Sequence, residues 1–292
     1  MARPVSLLRL VCLFAILFSG HSAKAQLDVQ LESTRTTFLQ YAPIPVVVRV
    51  KNIGAEEVRL RSLPGQPWME FFVKSHDGLS VREQASLVPE DRILKSGQSL
   101  RLEIDLAPHF LIREPGAYYI RLAVRGEQGD PWLTAPLEVA VARGQTLWSQ
   151  ERGLGAERRL FSLVRFYENP GLGLYLVVDL PGQQQFFPAR RLGTYVPLTR
   201  PSAEFDSKNH FHCLFFIGSG QYRIVVANQN GDLLRQETRQ EAPTAPTLRL
   251  APDGSVQVEG GLVILPQNLR ERLSYLQSRL GAAGPESAPA GP

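Results

Sequence analysis

The 292-residue chain contains only two cysteines, Cys12 and Cys213. Cys12 falls in an N-terminal segment expected to be removed, so the mature chain keeps one thiol, which closes no internal disulfide. That excludes a disulfide-stapled mini-domain and the inter-sheet bridge of antibody-type domains. Stability has to come from packed apolar surface, which the residues from Gln26 onward, in a chain that is 43% hydrophobic, can supply. Histidine is nearly as scarce. His76, His109, His210 and His212 are the only ones after residue 25, and this restricts acid–base and metal chemistry.

Catalytic signatures are missing as well. There is no Gly-x-Ser-x-Gly elbow, His-Glu-x-x-His, phosphate loop or dinucleotide fingerprint. Gly153-x-Gly155 and Gly171-x-Gly173 lack the third glycine and a following helix, so both read as loop glycines. A non-catalytic protein is expected. No Asn-x-Ser/Thr sequon occurs, so nothing points to a glycosylated ectodomain, and a bacterial extracytoplasmic setting is the plainer expectation.

An excess of positive charge is lacking too, once the chain is divided. The formal net charge is +4 and the pI about 9.2, but Arg3, Arg9 and Lys24 stand in the first 25 residues with no acid among them. The remainder carries 29 basic against 28 acidic residues. A phosphate-backbone binder needs clustered Lys and Arg. The doublets Arg158-Arg159 and Arg190-Arg191 are each cut short by a leucine and read as strand positions, so no nucleic-acid partner is expected.

What is present begins with a targeting pattern. Arg3 and Arg9 precede the uncharged run Leu10–Phe18; Ser19-Gly20 break it, and Ala23-Lys24-Ala25 forms a small-x-small cleavage site before Gln26. Basic, apolar and small-residue regions in this order make residues 1–25 an expected secretory signal peptide. The run is about half the ~20 residues that span a bilayer. Val11 before Cys12 argues against a lipoprotein anchor. The expectation is an exported protein, periplasmic or secreted, with no membrane span after signal removal.

From Gln26 the hydrophobic period is two. Val46, Val48 and Val50 alternate with Val47, Arg49 and Lys51; Leu100, Leu102, Ile104 and Leu106 with Arg101, Glu103 and Asp105; Tyr118, Ile120, Leu122 and Val124 with Tyr119, Arg121, Ala123 and Arg125. One apolar and one polar face is the pattern of antiparallel strands covered on one side. Turns punctuate them at Asn52-Ile53-Gly54, Asp77-Gly78, Pro115-Gly116 and Asn230-Gly231. Further strands are predicted near 159–167, 172–180, 193–198, 209–217, 221–227 and 233–239, with a hairpin of 248–250 and 256–258. The class is all-β, as two tandem antiparallel sandwiches.

Gly116-Ala-Tyr-Tyr-Ile-Arg-Leu-Ala and Gly220-Gln-Tyr-Arg-Ile-Val-Val-Ala share Gly-x-Tyr-x-Ile-x-aliphatic-Ala, 104 residues apart. Gly-x-Tyr opening a strand after a long connection resembles the tyrosine corner of immunoglobulin-like sandwiches. Val46 through Leu60, read as strand, Lys-Asn-x-Gly turn and strand, is also similar to bacterial exported immunoglobulin-like modules. The resemblance covers residues 26–143 and is generic. It implies an Ig-like fold there and a hydroxyl tying a loop to Tyr118; in the second half only the Tyr222 strand carries it.

The expected organisation is therefore a signal at 1–25, an Ig-like domain at 26–143 and a linker at 144–157 with Trp148 packed at the domain interface. A second β-sandwich follows at 158–264, then an amphipathic helix at 265–281 and a disordered tail at 282–292. Asn268 and Glu271 have capping-box spacing, and Leu269, Leu273, Leu276 and Leu280 form one stripe.

Two clusters are candidates for chemistry. On a strand His210 and His212 share a face, an arrangement that can bite zinc, with Asp206 or Glu204 supplying an oxygen if the loop folds back. Two ligands on one strand fall short of a site, and hydrogen bonding to neighbouring loops is the competing expectation. Cys213 alternates onto the apolar face as an inert thiol. The second cluster is aromatic: Tyr167, Tyr175, Phe186, Phe187 and Tyr195, near Gln183–Gln185, could stack on sugar rings or simply pack in a core. Binding or scaffolding is expected, with another envelope protein or a polysaccharide as partner and no cofactor unless the histidines hold zinc; the alternatives are a zinc-binding or metal-dependent hydrolytic protein using His210 and His212, and a carbohydrate-binding module. Leu214 and Phe216 continue the histidine face, so that strand needs cover on both sides, expected from the 265–281 helix or the first domain.

Overall fold

A computed structural model of the chain describes residues 26–127, 130–154, 157–181 and 187–264. The signal at 1–25, the helix at 265–281, the tail at 282–292 and Phe186 lie outside the described residues. Within them the chain is all-β, with several antiparallel sheets and no helix. It divides into two compact units. One holds the described residues through Phe38 together with Pro43–Val141; the other holds Leu39–Ala42 and the described residues from Ala142 onward.

The first unit contains β1 (Leu27–Glu32), β2 (Thr37–Leu39), β3 (Pro45–Asn52), β4 (Val58–Leu60), β5 (Met69–Ser75), β6 (Arg92–Leu94), β7 (Ser99–Asp105), β8 (Gly116–Val124), β9 (Trp132–Leu133) and β10 (Leu137–Ala142). Strands β1-β3-β7 form one sheet and β2-β10-β8-β5 another, with β9 added beside β8 and β4 paired to β6. The period-two pattern explains how the two sheets close on one core. Val46, Val48 and Val50 of β3 and Ile120, Leu122 and Val124 of β8 are all fully buried in the same cluster. Burying each such side chain is worth roughly 1.5–3 kcal/mol. Two polar groups are fixed within that apolar mass. Asn52 is fully buried; its Nδ2 donates to the Glu56 carbonyl at 2.6 Å and the Leu94 carbonyl at 2.9 Å, and its Oδ1 accepts from Gly54 N at 2.9 Å. The Lys-Asn-x-Gly turn is thus held by its own asparagine. Trp68 is buried with its indole Nε1 donating to the Glu90 carbonyl at 3.0 Å, which removes the cost of an unpaired N–H.

The second unit contains β11 (Gln145–Arg152), β12 (Arg159–Tyr167), β13 (Leu172–Asp179), β14 (Arg190–Thr194), β15 (Ser202–Phe205), β16 (Phe211–Gly218), β17 (Gln221–Ala227), β18 (Leu233–Gln240), β19 (Thr247–Leu250), β20 (Val256–Glu259) and β21 (Leu262–Ile264). Its sheets are β11-β12-β13-β14 and β15-β16-β17-β18-β21, with β19-β20 as a separate hairpin. The strands run in sequence order through each sheet, unlike those of the first unit. Phe161 and Leu163 from one sheet and Phe211, Cys213 and Phe215 from the other share one core.

Residues 145–152, expected within a linker, form strand β11, because the polar stretch is an outer strand paired to β12 along its length with a bulge at Thr146/Trp148. Trp148 packs within the second unit, its ring 5.6 Å from that of Phe211 and 6.2 Å from that of Phe205. Strand β14 starts three residues before its predicted position, and β15 and β21 were not foreseen.

The Asn230-Gly231 turn is present, but only Gly231 has a positive φ, of 83°. Asn228 Oδ1 accepts from Asn230 N and Asp232 N, both at 2.9 Å, so the chain turns over a longer loop than a two-residue hairpin. The outer face of β16 is covered as its sequence demands: His212, Leu214 and Phe216 are at most 9% exposed. Among the described residues, hairpin β19–β20 contributes that cover, with β19 lying against β15 and β16. It is tied down by Ser207 N donating to the Gly254 carbonyl at 2.8 Å, and by Arg239 Nη1 donating to the Val258 and Gly260 carbonyls at 3.2 and 2.9 Å.

Candidate functional site

Strands β15 and β16 are antiparallel neighbours, and the loop between them carries Asp206 back over the start of β16. Asp206 is the centre of the loop. Its Oδ1 accepts from Lys208 N at 2.9 Å and His210 N at 2.8 Å. Its Oδ2 lies 3.1 Å from His210 Nδ1 and 3.1 Å from His212 Nε2. The carboxylate therefore joins two imidazoles and two backbone amides. Burial pushes the Asp206 carboxyl up, but hydrogen bonds from the His210 amide and from both imidazoles outweigh it and hold the group below the ordinary carboxylate range. Asn209, at the loop tip, has a φ of 60°, and its amide donates to the Asp206 carbonyl at 2.9 Å. Asparagine tolerates that left-handed backbone better than most residues.

The folding-back of Asp206 and its meeting with both histidines agree with the sequence reading. His212 is nearly buried and His210 partly exposed, with side-chain accessibilities of 11% and 34%. Glu204 stands opposite His212 in the ladder and is exposed. Among the described residues no group of three His, Cys, Asp or Glu side chains stands in metal-holding geometry. The Oδ2 that would ligate an ion instead bonds both rings. What the cluster does locally is clamp a five-residue loop. Cys213 is fully buried on the opposite face, where burial pushes the thiol far up and keeps it protonated.

The aromatic cluster disperses. Tyr195 is core, 5% exposed, with its hydroxyl donating to the Thr199 carbonyl at 3.0 Å. Tyr175 is buried and donates to Glu168, whose carboxylate also holds the Arg191 guanidinium. Phe187 packs against the core of the second unit, with the Arg159 guanidinium 5.9 Å from its ring centre. Of the cluster's described members only Tyr167 is exposed. Aromatics at inward strand positions were taken by packing, so Tyr195 and Tyr175 have no ring face free for a sugar.

Sequence reasoning missed a cleft in the first unit, of about 400 Å³. One wall is Met69, Glu70 and Phe71 of β5; the other includes Leu87 and Val88, with Leu63 at the rim. Strand β5 is the last of its sheet. Beyond it the chain makes one bridge, Lys74 with Ser80, and Val81 N donates to the Val73 carbonyl at 2.9 Å. The Met69–Phe71 end borders the cleft. Leu63 and Val88 are 52% and 74% exposed. A signal was available: residues 76–91, between β5 and β6, contain no strand, and connections of that length in compact domains are commonly functional.

No protein-family model matches the chain, and no curated protein sequence matches it. Among solved structures it is similar to the sporulation control protein Spo0M from Bacillus subtilis at 9% identity and a TM-score of 0.29, covering 88% of this chain and 96% of that one. It is also similar to the SafA pilin in complex with the SafB chaperone from Salmonella enterica, at 11% identity and a TM-score of 0.23, covering 73% and 96%. At these scores the likeness extends to a β-rich chain and no further.

Proposed function

We propose that this is an exported, non-catalytic binding protein of the cell envelope, built of two β-sandwich units, whose first unit is immunoglobulin-like and carries the binding surface. The order β1-β3-β7 against β10-β8-β5 supports the Ig-like reading, since it parallels the A-B-E and G-F-C sheets of such domains. The Tyr118 hydroxyl bond to the Glu114 carbonyl, at 2.6 Å, supports it further. Export rests on the residue 1–25 pattern, which supports a periplasmic or extracellular mature protein.

The observation that carries the binding reading is the cleft beside β5. A terminal strand next to a groove whose lining mixes Leu63, Leu87 and Val88 with Glu70, Glu83 and His109 suits an extended segment of a partner protein, which can add to the sheet edge while its side chains enter the groove. Phe71 and Phe110, the aromatics in its wall, are each 7% exposed and offer little ring face. A polypeptide therefore fits better than a polysaccharide. Selection of a displayed random-peptide library on the mature protein tests this. Peptides recovered with wild type are expected to lose binding to Val88→Asp and to keep it with Leu154→Asp, an exposed position in the second unit. Equal binding to both variants, or no enrichment, overturns the reading.

A further inference from the structure

A separate feature of the second unit, independent of the first-unit cleft, is a pair of arginines facing each other inside a sandwich mouth. Arg152 of β11 and Arg159 of β12 are direct partners in the antiparallel ladder, so their side chains leave the sheet on the same side. Alternation puts Arg159 on the face of Phe161 and Leu163, which is the core face. Like charges directly opposite on one face destabilise a strand pair, and the sequence offers neither a carboxylate partner among the described ion pairs. Glu151, next to Arg152, is instead paired with Arg158 on the exposed side.

The two guanidiniums are sequestered from water in part. The Nε of Arg152 and the Nε of Arg159 are buried and make no hydrogen bond among the described residues. Arg152 lies over the Phe205 ring, 4.5 Å from its centre, and Arg159 is 5.9 Å from that of Phe187. Arg159 Nη1 donates to the Glu157 carbonyl at 3.1 Å, which fixes its fork. A cavity of about 90 Å³ is lined by both arginines together with Gly153, Glu157, Phe161, Asn209 and Gln229. That is several times the space one water needs. Asn209 is the residue that the Asp206 clamp holds at φ 60°. The Asp206 clamp thus fixes the backbone of a residue that lines the same cavity as the arginines.

The geometry points to an anion site: Arg152 and Arg159, with Asn209 and Gln229 in the same lining, bind a tetrahedral oxyanion of the phosphate or sulfate class, free or as the terminal group of a larger ligand. Two guanidiniums offer more N–H donors than the two oxygens of a carboxylate can face at once, whereas a tetrahedral anion can turn separate oxygens toward each fork. The bound anion relieves the repulsion of the facing arginines. Arginine is suited to this role, since its planar fork matches the oxyanion and its face rests on aromatic rings.

The test is titration calorimetry of the mature protein with inorganic phosphate, sulfate and acetate at constant ionic strength. Phosphate or sulfate is expected to bind with one-to-one stoichiometry. Arg152→Gln and Arg159→Gln are each expected to weaken it roughly tenfold or more, the loss of a charge-assisted bond. Arg158→Gln, which alters the same basic doublet on the exposed side, is expected to change binding less than twofold. In anion-free buffer of low ionic strength the two Gln variants should melt no lower than wild type, because one source of repulsion is gone. No binding by wild type, or equal weakening by Arg158→Gln, overturns the site. Acetate binding as tightly as phosphate overturns the tetrahedral assignment. Should the arginine variants fail to fold, Asn209→Ala and Gln229→Ala decide instead: both are expected to weaken binding, and unchanged affinity in both overturns the proposal.

Discussion

The Tyr118 hydroxyl donates to the Glu114 carbonyl four residues upstream, at 2.6 Å, while the ring itself sits in the first-unit core. One side chain thus anchors the loop before β8 to the strand that follows. Burial raises the phenol's pKa, and this outweighs the opposing pull of the Glu114 hydrogen bond. Tyr222, its counterpart in the sequence echo, packs edge-on against Phe216 at 5.1 Å. The shared Gly-x-Tyr spelling therefore hides two different jobs.

Tyr118→Phe is accordingly expected to cost about 1–2 kcal/mol, since the Glu114 carbonyl loses its donor while ring packing is kept. Tyr222→Phe is expected to fall within about 0.5 kcal/mol of wild type. Urea unfolding of both variants checks the contrast. A loss at Tyr222 as large as that at Tyr118 would mean the two tyrosines play one role after all.

Asp206 supplies a pH dependence whose sign is determined. Its carboxyl titrates lower in the folded chain than in the unfolded one, where it is near 3.8. The stabilisation is therefore fully present above about pH 4 and is lost as pH falls through the lower folded value. Asp206→Asn is expected to lower the melting temperature at pH 7, because an amide cannot accept from both rings and both amides as an anion does. The gap between variant and wild type should shrink toward pH 3. A gap independent of pH between 7 and 3 would show that charge on Asp206 contributes nothing.

Much of this architecture was legible in the sequence because period-two patterning and turn chemistry act locally. Val46/Val48/Val50 and Tyr118/Ile120/Leu122/Val124 name their own buried faces. Strand β11 was hidden because Gln145–Arg152 is polar on most positions: an outer strand buries little, and its ladder bonds leave no hydrophobic signature. The meeting of Asp206 with His210 and His212 was readable, being confined to seven residues. The facing of Arg152 and Arg159 was not, because it depends on where β11 and β12 pair. In the sequence, Arg158-Arg159 looks like one doublet; in the fold its members take opposite faces and opposite partners. The sugar-stacking idea misread Tyr195 and Tyr175 for the converse reason, since an aromatic beside a turn looks alike whether its ring is core or exposed.

The histidine pair yields the sharpest remaining test, because zinc and hydrogen bonding make opposite demands on the same nitrogens. Zinc needs the lone pairs of His210 Nδ1 and His212 Nε2 and four ligands about 2 Å from one point. In the fold both nitrogens instead stand at 3.1 Å from a single Asp206 oxygen, which calls for a proton on each. Glu204, the other expected ligand, is exposed beside the pair. Elemental analysis of protein purified without chelator is therefore expected to find far less than one zinc per chain, and EDTA should leave the melting temperature unchanged. His212→Ala should still destabilise the protein, by roughly 1–3 kcal/mol, through loss of a bond to the buried carboxylate. One zinc per chain that disappears in the His210→Ala/His212→Ala double variant would reverse this assignment. It would also make the clamp that positions Asn209 a metal-dependent one.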